Sequence, residues 1–505
     1  MIKNLDTDDL VIGAGLCGLM YGLTAVTEGR SVIISEAHHK AGGYATNFYR
    51  NKRKFIFDCS QHKVSGIREN VGNLWNTLQR LKLHSLLEEF ILHEEIGTVV
   101  YKERFIRIPS EPEEIREVLC AHFPEERTGI QQLFKDIESH GYQHYMFFRR
   151  LMNEYTINKE ILRESRGLAK ITAREYFNRI FKGQDIIEVL SPIAIYSGSI
   201  SNEVNAFYFL HCLYAMFYGG QAYVKGTGQR LSDELLKEFI SRGGILLKKN
   251  PVYEMEDHQE YMQIKTRKRI INARKVIATC PPEDVLKMLK KDKYTEDFQD
   301  VINNFEVGWG HFCVYLVISV PPEEIGIFSP EYLLVSDYGD NFTREDFEND
   351  RYYDLFTLSL SNYHRFDPDG GYILQLVMLD HGDRWFHLTE EEYLVRKQKI
   401  QEKLIQRAFK TFPDLKGKLI YIESSTPKTN YKFTLATKGS AFAYKMLPKT
   451  NLSLLSSFPN DKINLVSTWS GGPGYETAMC FGFTQGKLLS KTQKYESIEE
   501  KNTES

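Results

Sequence analysis

The chain has 505 residues, too many for one simple hydrophobic core, so two interleaved domains are the natural expectation. Hydrophobic residues at 42% and charged residues at 26% match an ordinary globular protein. A formal net charge of −3 leaves no basic footprint for nucleic acid, and no charge-driven partner is implied. The seven cysteines (17, 59, 120, 212, 280, 313 and 480) are scattered, odd in number and without a CxxC pair. This fits reduced thiols and argues against a disulfide framework, a zinc site or any other metal.

The polar, acidic start runs straight into an apolar strand and offers no signal peptide, which points to the cytoplasm. The longest apolar stretch, Ala206 to Tyr218, contains His211 and falls short of the roughly 20 residues a membrane span needs. Peripheral contact with a membrane surface stays open.

Leu10-Val11-Ile12 is short, apolar and partly β-branched, as a buried parallel strand should be. It leads into Gly13-Ala14-Gly15-Leu16-Cys17-Gly18. In a dinucleotide-binding βαβ unit the first glycine allows the tight turn, the second lets a pyrophosphate approach the backbone, and the third lets the helix pack on the sheet. A helix from Leu16 to Glu28 would aim its free N–H groups at the phosphates. Gly29 stops it. Val32 to Ser35 returns as a second strand, and Glu36 at its end can accept hydrogen bonds from ribose hydroxyls. An acid there favours FAD or NAD over NADP.

Six residues beyond Glu36 comes Gly42-Gly43-Tyr44-Ala45-Thr46-Asn47-Phe48, and then an apolar strand, Phe55-Ile56-Phe57, ending in Asp58. With both motifs at this spacing the chain resembles the FAD-dependent amine oxidase and phytoene desaturase superfamily. Its pattern is most like the bacterial carotenoid isomerase-like and retinol saturase-like oxidoreductases. The resemblance implies FAD as cofactor and a Phe-Asp strand leading in beside the flavin. It implies an α/β fold, in which a Rossmann-type FAD-binding domain is interleaved with an α+β substrate domain containing an antiparallel sheet.

Asn70 to Leu92 shows helical spacing with Leu74, Leu78 and Leu81 on one face, and Val99 to Ile108 alternates as a hairpin would. From Glu113 to about Ile171 the pattern is helical again, interrupted at Phe123-Pro124. Leu190 to Phe217 is aromatic, with Tyr196, Phe207, Tyr208, Phe209, Tyr214 and Phe217. Such a stripe is either plain core or the wall of an apolar substrate tunnel.

Tyr223 to Leu231 leads into an amphipathic helix that stops at Gly243-Gly244. Ile245 to Leu247 and Pro251 to Met255 are strand-like, a hairpin spans roughly Tyr261 to Ile271, and Val276-Ile277-Ala278 closes the segment. This run resembles the desaturase and isomerase group, which implies that Val252 lies at the adenine. Thr227 stands where a second glycine is usual, which should alter the loop without abolishing it.

Alternating strands at Phe312 to Val320, Tyr332 to Val335, Leu355 to Leu360 and Tyr372 to Leu379 suggest an antiparallel sheet, followed by helices from about Glu390 to Phe412. Asp337 to Asp354, with seven acids, reads as a solvated loop. Thr426 to Tyr431 and Lys438 to Phe442 resemble the C-terminal part of the carotenoid isomerase-like and retinol saturase-like proteins. Ile463 to Val466 is a strand, Ser470-Gly471-Gly472-Pro473-Gly474 a turn and Thr477 to Leu489 a helix. The expected division is FAD-binding segments at 1–70, 220–290 and 456–490, a helical substrate segment at 71–219, a substrate domain with the sheet at 291–455, and a tail at 491–505 without structure.

The resemblance implies cofactor contacts at Gly13, Gly15, Leu16, Cys17, Gly18, Glu36, Gly42, Gly43, Tyr44, Ala45, Thr46, Val252, Gly472, Pro473, Gly474 and Thr477. Two departures stand out. The last strand of the family ends in Gly and an acid, whereas this chain has Leu465-Val466-Ser467-Thr468. Many relatives have Phe-Asp-x-Gly, whereas this chain has Phe57-Asp58-Cys59-Ser60-Gln61-His62, which makes His62 a candidate acid or base beside the flavin.

The leading expectation is an FAD-dependent oxidoreductase that moves hydride at an apolar substrate, with desaturation, saturation or isomerisation of a polyene, terpenoid or acyl chain as the outcome. The electron partner is left open. Two alternatives are a flavin-dependent oxidase of an amine or amino-acid derivative, and a flavin-free binding protein resembling the Rab GDP-dissociation inhibitors.

Overall fold

A computed structural model describes residues 5–52, 54–59, 63–336, 344–365 and 370–503. Two seven-stranded sheets carry the architecture. The first has Leu5–Ile12 at its centre, paired in parallel with Val32–Ser35 on one side and Ile270–Ala278 on the other. Leu10 and Val11 are wholly buried, as strands covered on both faces require. Ile245–Leu247 extends the sheet beyond Val32–Ser35, and Ile463–Leu465 lies parallel to the end of Ile270–Ala278. Val252–Asp257 and Met262–Thr266 add an antiparallel edge.

The Leu16–Thr27 helix packs over this sheet, and its Cys17, Tyr21 and Thr24 approach the last helix closely enough to need glycine there, at Gly482 and Gly486, while its own Gly22 lies against Ile34 and Phe239. That helix, Tyr475–Thr503, runs through much of the stretch expected to lack structure. Extending an existing helix avoids the nucleation cost, so modest propensity suffices there.

The second sheet has the order Leu419–Ser425, Gly310–Ile318, Ile373–Asp380, Leu358–Asn362, Glu331–Leu334, Glu95–Tyr101 and Arg104–Pro109. The last two strands form the hairpin expected near Val99 to Ile108. They join the sheet because Tyr332 to Leu334 pair in parallel with Thr98 to Val100. One face, with Phe312, Val314, Leu316, Leu374, Leu376 and Leu360, packs on Ile400, Leu404 and Ala408 of the Glu390–Thr411 helix.

Helices between 112 and 217 form a separate core in which Tyr208, Phe209, Tyr214 and Phe217 are buried. The aromatic stripe is therefore mainly core. The acidic stretch differs from expectation in its described part. Arg344–Glu348 and Tyr352–Leu355 are helical, Tyr352 and Tyr353 are fully buried, and Asp350 takes ion pairs from Arg384 (2.6 Å) and Arg396 (2.5 Å). Asp346 and Asp350 are thus drawn inward, Asp350 by the guanidinium groups of Arg384 and Arg396, while Glu345, Glu348 and Asp354 stay exposed.

Candidate active site

The first glycine turn is built against Thr279. The Thr279 hydroxyl donates to the Ile12 carbonyl (2.7 Å), and a Cβ on Gly13, whose φ is +102°, would stand 2.6 Å from Thr279 Oγ1. A Cβ on Gly18 would overlap the Gly13 carbonyl, so this glycine sets how closely the helix approaches the strand. Gly15 is different, because nothing lies within 4 Å of where its Cβ would be. The Leu16–Thr27 helix starts there without a side-chain cap, leaving N–H groups and the positive dipole end facing open space.

Glu36 reaches back across this opening. Its carboxylate accepts the Ala14 N–H (2.7 Å) and the His38 N–H (2.7 Å), which leaves lone pairs for further donors. The second glycine turn closes on the first. The Gly42 N–H donates to the Ala14 carbonyl (2.7 Å), and a Cβ on Gly43 would come to 3.3 Å from the Gly15 Cα. Tyr44 donates its hydroxyl to the Ser440 carbonyl (2.9 Å), and Thr46 donates to the Gly43 carbonyl (3.1 Å).

These turns line a cavity of about 600 Å³. Gly13, Gly15, Leu16 and Cys17 of the first turn are on its wall, with Gly42, Gly43, Tyr44 and Ala45 of the second, together with Glu36, Val252 and Gly474. Gly18, Thr46, Gly472, Pro473 and Thr477 are not on the wall and stand behind it. Asp58 is also directed elsewhere. It accepts the Tyr223 hydroxyl (2.9 Å) and the Gly228 N–H (3.0 Å), tying the start of the Thr227–Ser241 helix to the Phe55–Asp58 strand. Thr227 keeps the left-handed backbone a glycine would adopt, with φ +79°, and its hydroxyl accepts from Asn47 (2.9 Å).

The departure at the last strand has a local structure of its own. Ser467 caps the Thr468–Gly471 helix by accepting the Trp469 N–H (3.2 Å), and the Cys17 thiol donates to the Val466 carbonyl (3.1 Å). Thr468, Trp469, Tyr475 and Ala478 line the cavity here, while Gly472 and Gly474 take positive φ. Just behind them Glu476, which sequence reasoning missed, accepts hydrogen bonds from Ser65 (2.5 Å) and Tyr145. Burial pushes its carboxyl up to about 7, against the pull of those hydroxyls and of the Asn73 N–H.

His62, with Ser60 and Gln61, lies outside the described residues. The next residue, Lys63, lines the cavity and pairs with Glu331, which also accepts from Tyr196. His311, Thr357, Val377 and Phe442 line it from the second sheet and its surroundings. Local spacing in the sequence gives no sign that residues 63, 196, 311 and 357 belong together.

A model of the flavin-containing amine oxidoreductases matches residues 16–415. The chain belongs to this family. It is an FAD-dependent oxidoreductase, and the uncapped helix start, the open side of Gly15 and the lone pairs left on Glu36 offer N–H donors for phosphate and an acceptor for hydroxyls, which fits the cofactor. Prolycopene isomerase 1 of an Oncidium hybrid cultivar is 22% identical over 466 residues, covering 86% of this chain and 74% of that protein. All-trans-retinol 13,14-reductase of Danio rerio is 20% identical over 476 residues, covering 86% and 77%. The solved structure of cyclohexylamine oxidase from Brevibacterium oxydans superposes with a TM-score of 0.65 at 14% identity, covering 97% of this chain and all of that one. Putrescine oxidase bound to putrescine gives 0.63 at 12% identity, covering 96% and 99%. At these identities the structures establish the shared fold: a Rossmann-type FAD-binding domain joined to a part with an antiparallel sheet.

Proposed function

We propose that FAD lies across Gly13 to Gly18, Glu36, Gly42-Gly43, Val252 and Gly472 to Gly474, and that the enzyme exchanges hydride with an apolar substrate of the polyene, terpenoid or acyl-chain class. The observation that carries this is the single cavity shared by the two glycine turns and the inner face of the second sheet. Bound FAD supplies a two-electron carrier. The chain holds the pyrophosphate on the Leu16–Thr27 helix start, holds the ribose on Glu36, offers the Val252 backbone to the adenine, and excludes water with Ile195, Phe356, Val377, Leu379 and Phe442. The names of the isomerase and reductase relatives support a polyene.

An amine substrate finds less support. An ammonium would be held by a carboxylate, and of the two that line the cavity Glu36 already accepts the Ala14 and His38 N–H groups and Asp284 is paired with Lys287, while Glu331, behind Lys63, serves Lys63, Tyr196 and Ser359. The family's flavin chemistry likewise displaces the flavin-free binding protein. No helix among the described residues is long and apolar enough to cross a membrane, and an apolar substrate suits a cytoplasmic enzyme working at a membrane surface. Electrons would pass to or from oxygen, a quinone or a diffusing partner.

The purified protein should be yellow, with the two-band spectrum of oxidised flavin and stoichiometric FAD released by heat. Polyenes should change the flavin spectrum under anaerobic conditions where amines do not. A colourless protein that takes up no added FAD refutes the proposal, and bleaching by amines alone would transfer it to amine oxidation.

A further inference from the structure

Alternation along the strands gives the second sheet one apolar and one polar face. A polar face normally meets water. Here every residue of Gly310–Ile318, Leu358–Asn362 and Ile373–Asp380 is buried, so the polar face is internal. It carries Tyr315, Gln375 and Ser359, and at the cavity His311 and Thr357. His311 pairs across the ladder with Leu379, and Ser359 with Val377, which sets Thr357, two residues before Ser359, on the same face beside Leu379.

Away from the cavity most of these polar groups find partners, although Gln375 Nε2 has none among the described residues. Ser359 donates to Glu331 (2.5 Å), Tyr363 donates to Gln375 (2.6 Å), and the Tyr315 and Ser425 hydroxyls share a bond (3.3 Å). The cavity pair is not satisfied in this way. Among the described residues the His311 ring has no hydrogen-bond partner, although it is only 8% exposed, and Phe442 packs edge-on to it at 5.1 Å. The Thr357 hydroxyl is buried with no partner either. Leaving a buried polar group unpaired costs about 1–3 kcal/mol. Two such groups lining one cavity, one on each side of Leu379, mark a place where a ligand can complete the bonding.

We propose that His311 and Thr357 bind the polar end of the substrate, so that the chamber takes an apolar chain bearing a neutral hydroxyl or carbonyl group in preference to a pure hydrocarbon. This rests on the apolar-substrate reading above. Burial lowers His311 to about 4, so at neutral pH the ring is uncharged, with one donor and one acceptor nitrogen that suit a hydroxyl. The three lysines that line the cavity are all engaged, Lys63 by Glu331 and the Ile96 carbonyl, Lys40 by Asn47 and Lys287 by Asp284, so a carboxylate gains nothing over an alcohol.

The test uses the FAD-loaded enzyme and three probes of one skeleton: all-trans-retinol, retinoic acid and the hydrocarbon in which hydrogen replaces the retinol hydroxyl. Binding is read by quenching of tryptophan fluorescence. Retinol should bind at least about tenfold more tightly than the hydrocarbon, and retinoic acid no more tightly than retinol. His311→Leu and Thr357→Val should each remove much of the preference while leaving hydrocarbon binding unchanged, and His311→Gln should restore part of it. Equal binding of alcohol and hydrocarbon, binding of neither, or variants that weaken both alike overturns the proposal. FAD content and thermal midpoint, recorded for every variant, separate misfolding from a lost contact. A wild-type protein without FAD would sink the flavoenzyme reading, whereas a full complement of FAD with no alcohol preference would sink this one alone.

Discussion

Glu476 makes stability depend on pH in a direction opposite to that of most acids. Its carboxyl is 6% exposed, holds the Ser65 and Tyr145 hydroxyls, and sits where a Cβ on Gly66 would collide with it. Burial raises it from the ordinary 4.5 to about 7. As pH rises, the unfolded chain releases this proton first. Between 4.5 and about 7 the folded state binds more protons, so this group's contribution to stability falls as pH rises through the window and is level on either side. A tenfold change in proton affinity is worth about 1.36 kcal/mol, so the shift amounts to about 3 kcal/mol. Glu476→Gln keeps the shape and cannot ionise. Relative to wild type, the variant should gain about 3 kcal/mol between about pH 4.5 and about pH 8. Urea midpoints of both proteins across that range, at fixed FAD, read the gain directly. Stability curves that stay parallel from acid to neutral pH would refute the reasoning, because they would mean that the folded carboxyl titrates as it does in the unfolded chain.

Three further outcomes are expected. Glu36→Ala removes a charged acceptor for ribose hydroxyls and should weaken FAD binding by about tenfold or more in fluorescence titration, while unchanged affinity would count against the ribose assignment. Gly15→Ala and Gly18→Ala should separate cofactor from fold: the first places a methyl in open space and should lower FAD affinity with little change in the apoprotein's thermal midpoint. The second overlaps the Gly13 carbonyl and should lower that midpoint outright, so similar melting of the two variants would contradict the packing described. Asp9→Ala strands the buried Arg30 and removes the acceptor of the Tyr21 hydroxyl (3.1 Å), which should cost about 3–5 kcal/mol in urea unfolding.

What the sequence makes legible follows the range of the interaction that leaves the mark. Gly13, Gly15 and Gly18 answer to one turn and one helix, and Leu16–Thr27 and Val32–Ser35 fall where the pattern sets them. Both hairpins and the long helix at 390 likewise carry their own periodicity. Asp350 misleads, because an acid in such a run looks the same whether water or the buried Arg384 and half-buried Arg396 receive it. The far wall of the cavity is silent for a different reason. His311 and Thr357 look like the polar half of any half-exposed strand, and only the covering of both sheet faces shows that they point into a buried space. Glu476 is hidden in the same way, since Ser65 and Tyr145 are distant in the chain.

The first sheet is closed by its last strand to be synthesised. Leu5–Ile12 and Ile270–Ala278 sit side by side, yet Ile463–Leu465 and the helix that covers Leu16–Thr27 emerge from the ribosome some 450 residues after the first glycine turn. At about 5–20 residues per second, the turn waits between roughly 20 and roughly 90 seconds before its final neighbours exist. Throughout that interval Cys17, Tyr21 and the apolar back of the helix have no cover from their eventual partners. The packing around the first glycine turn is therefore completed only when nearly the whole chain has been made.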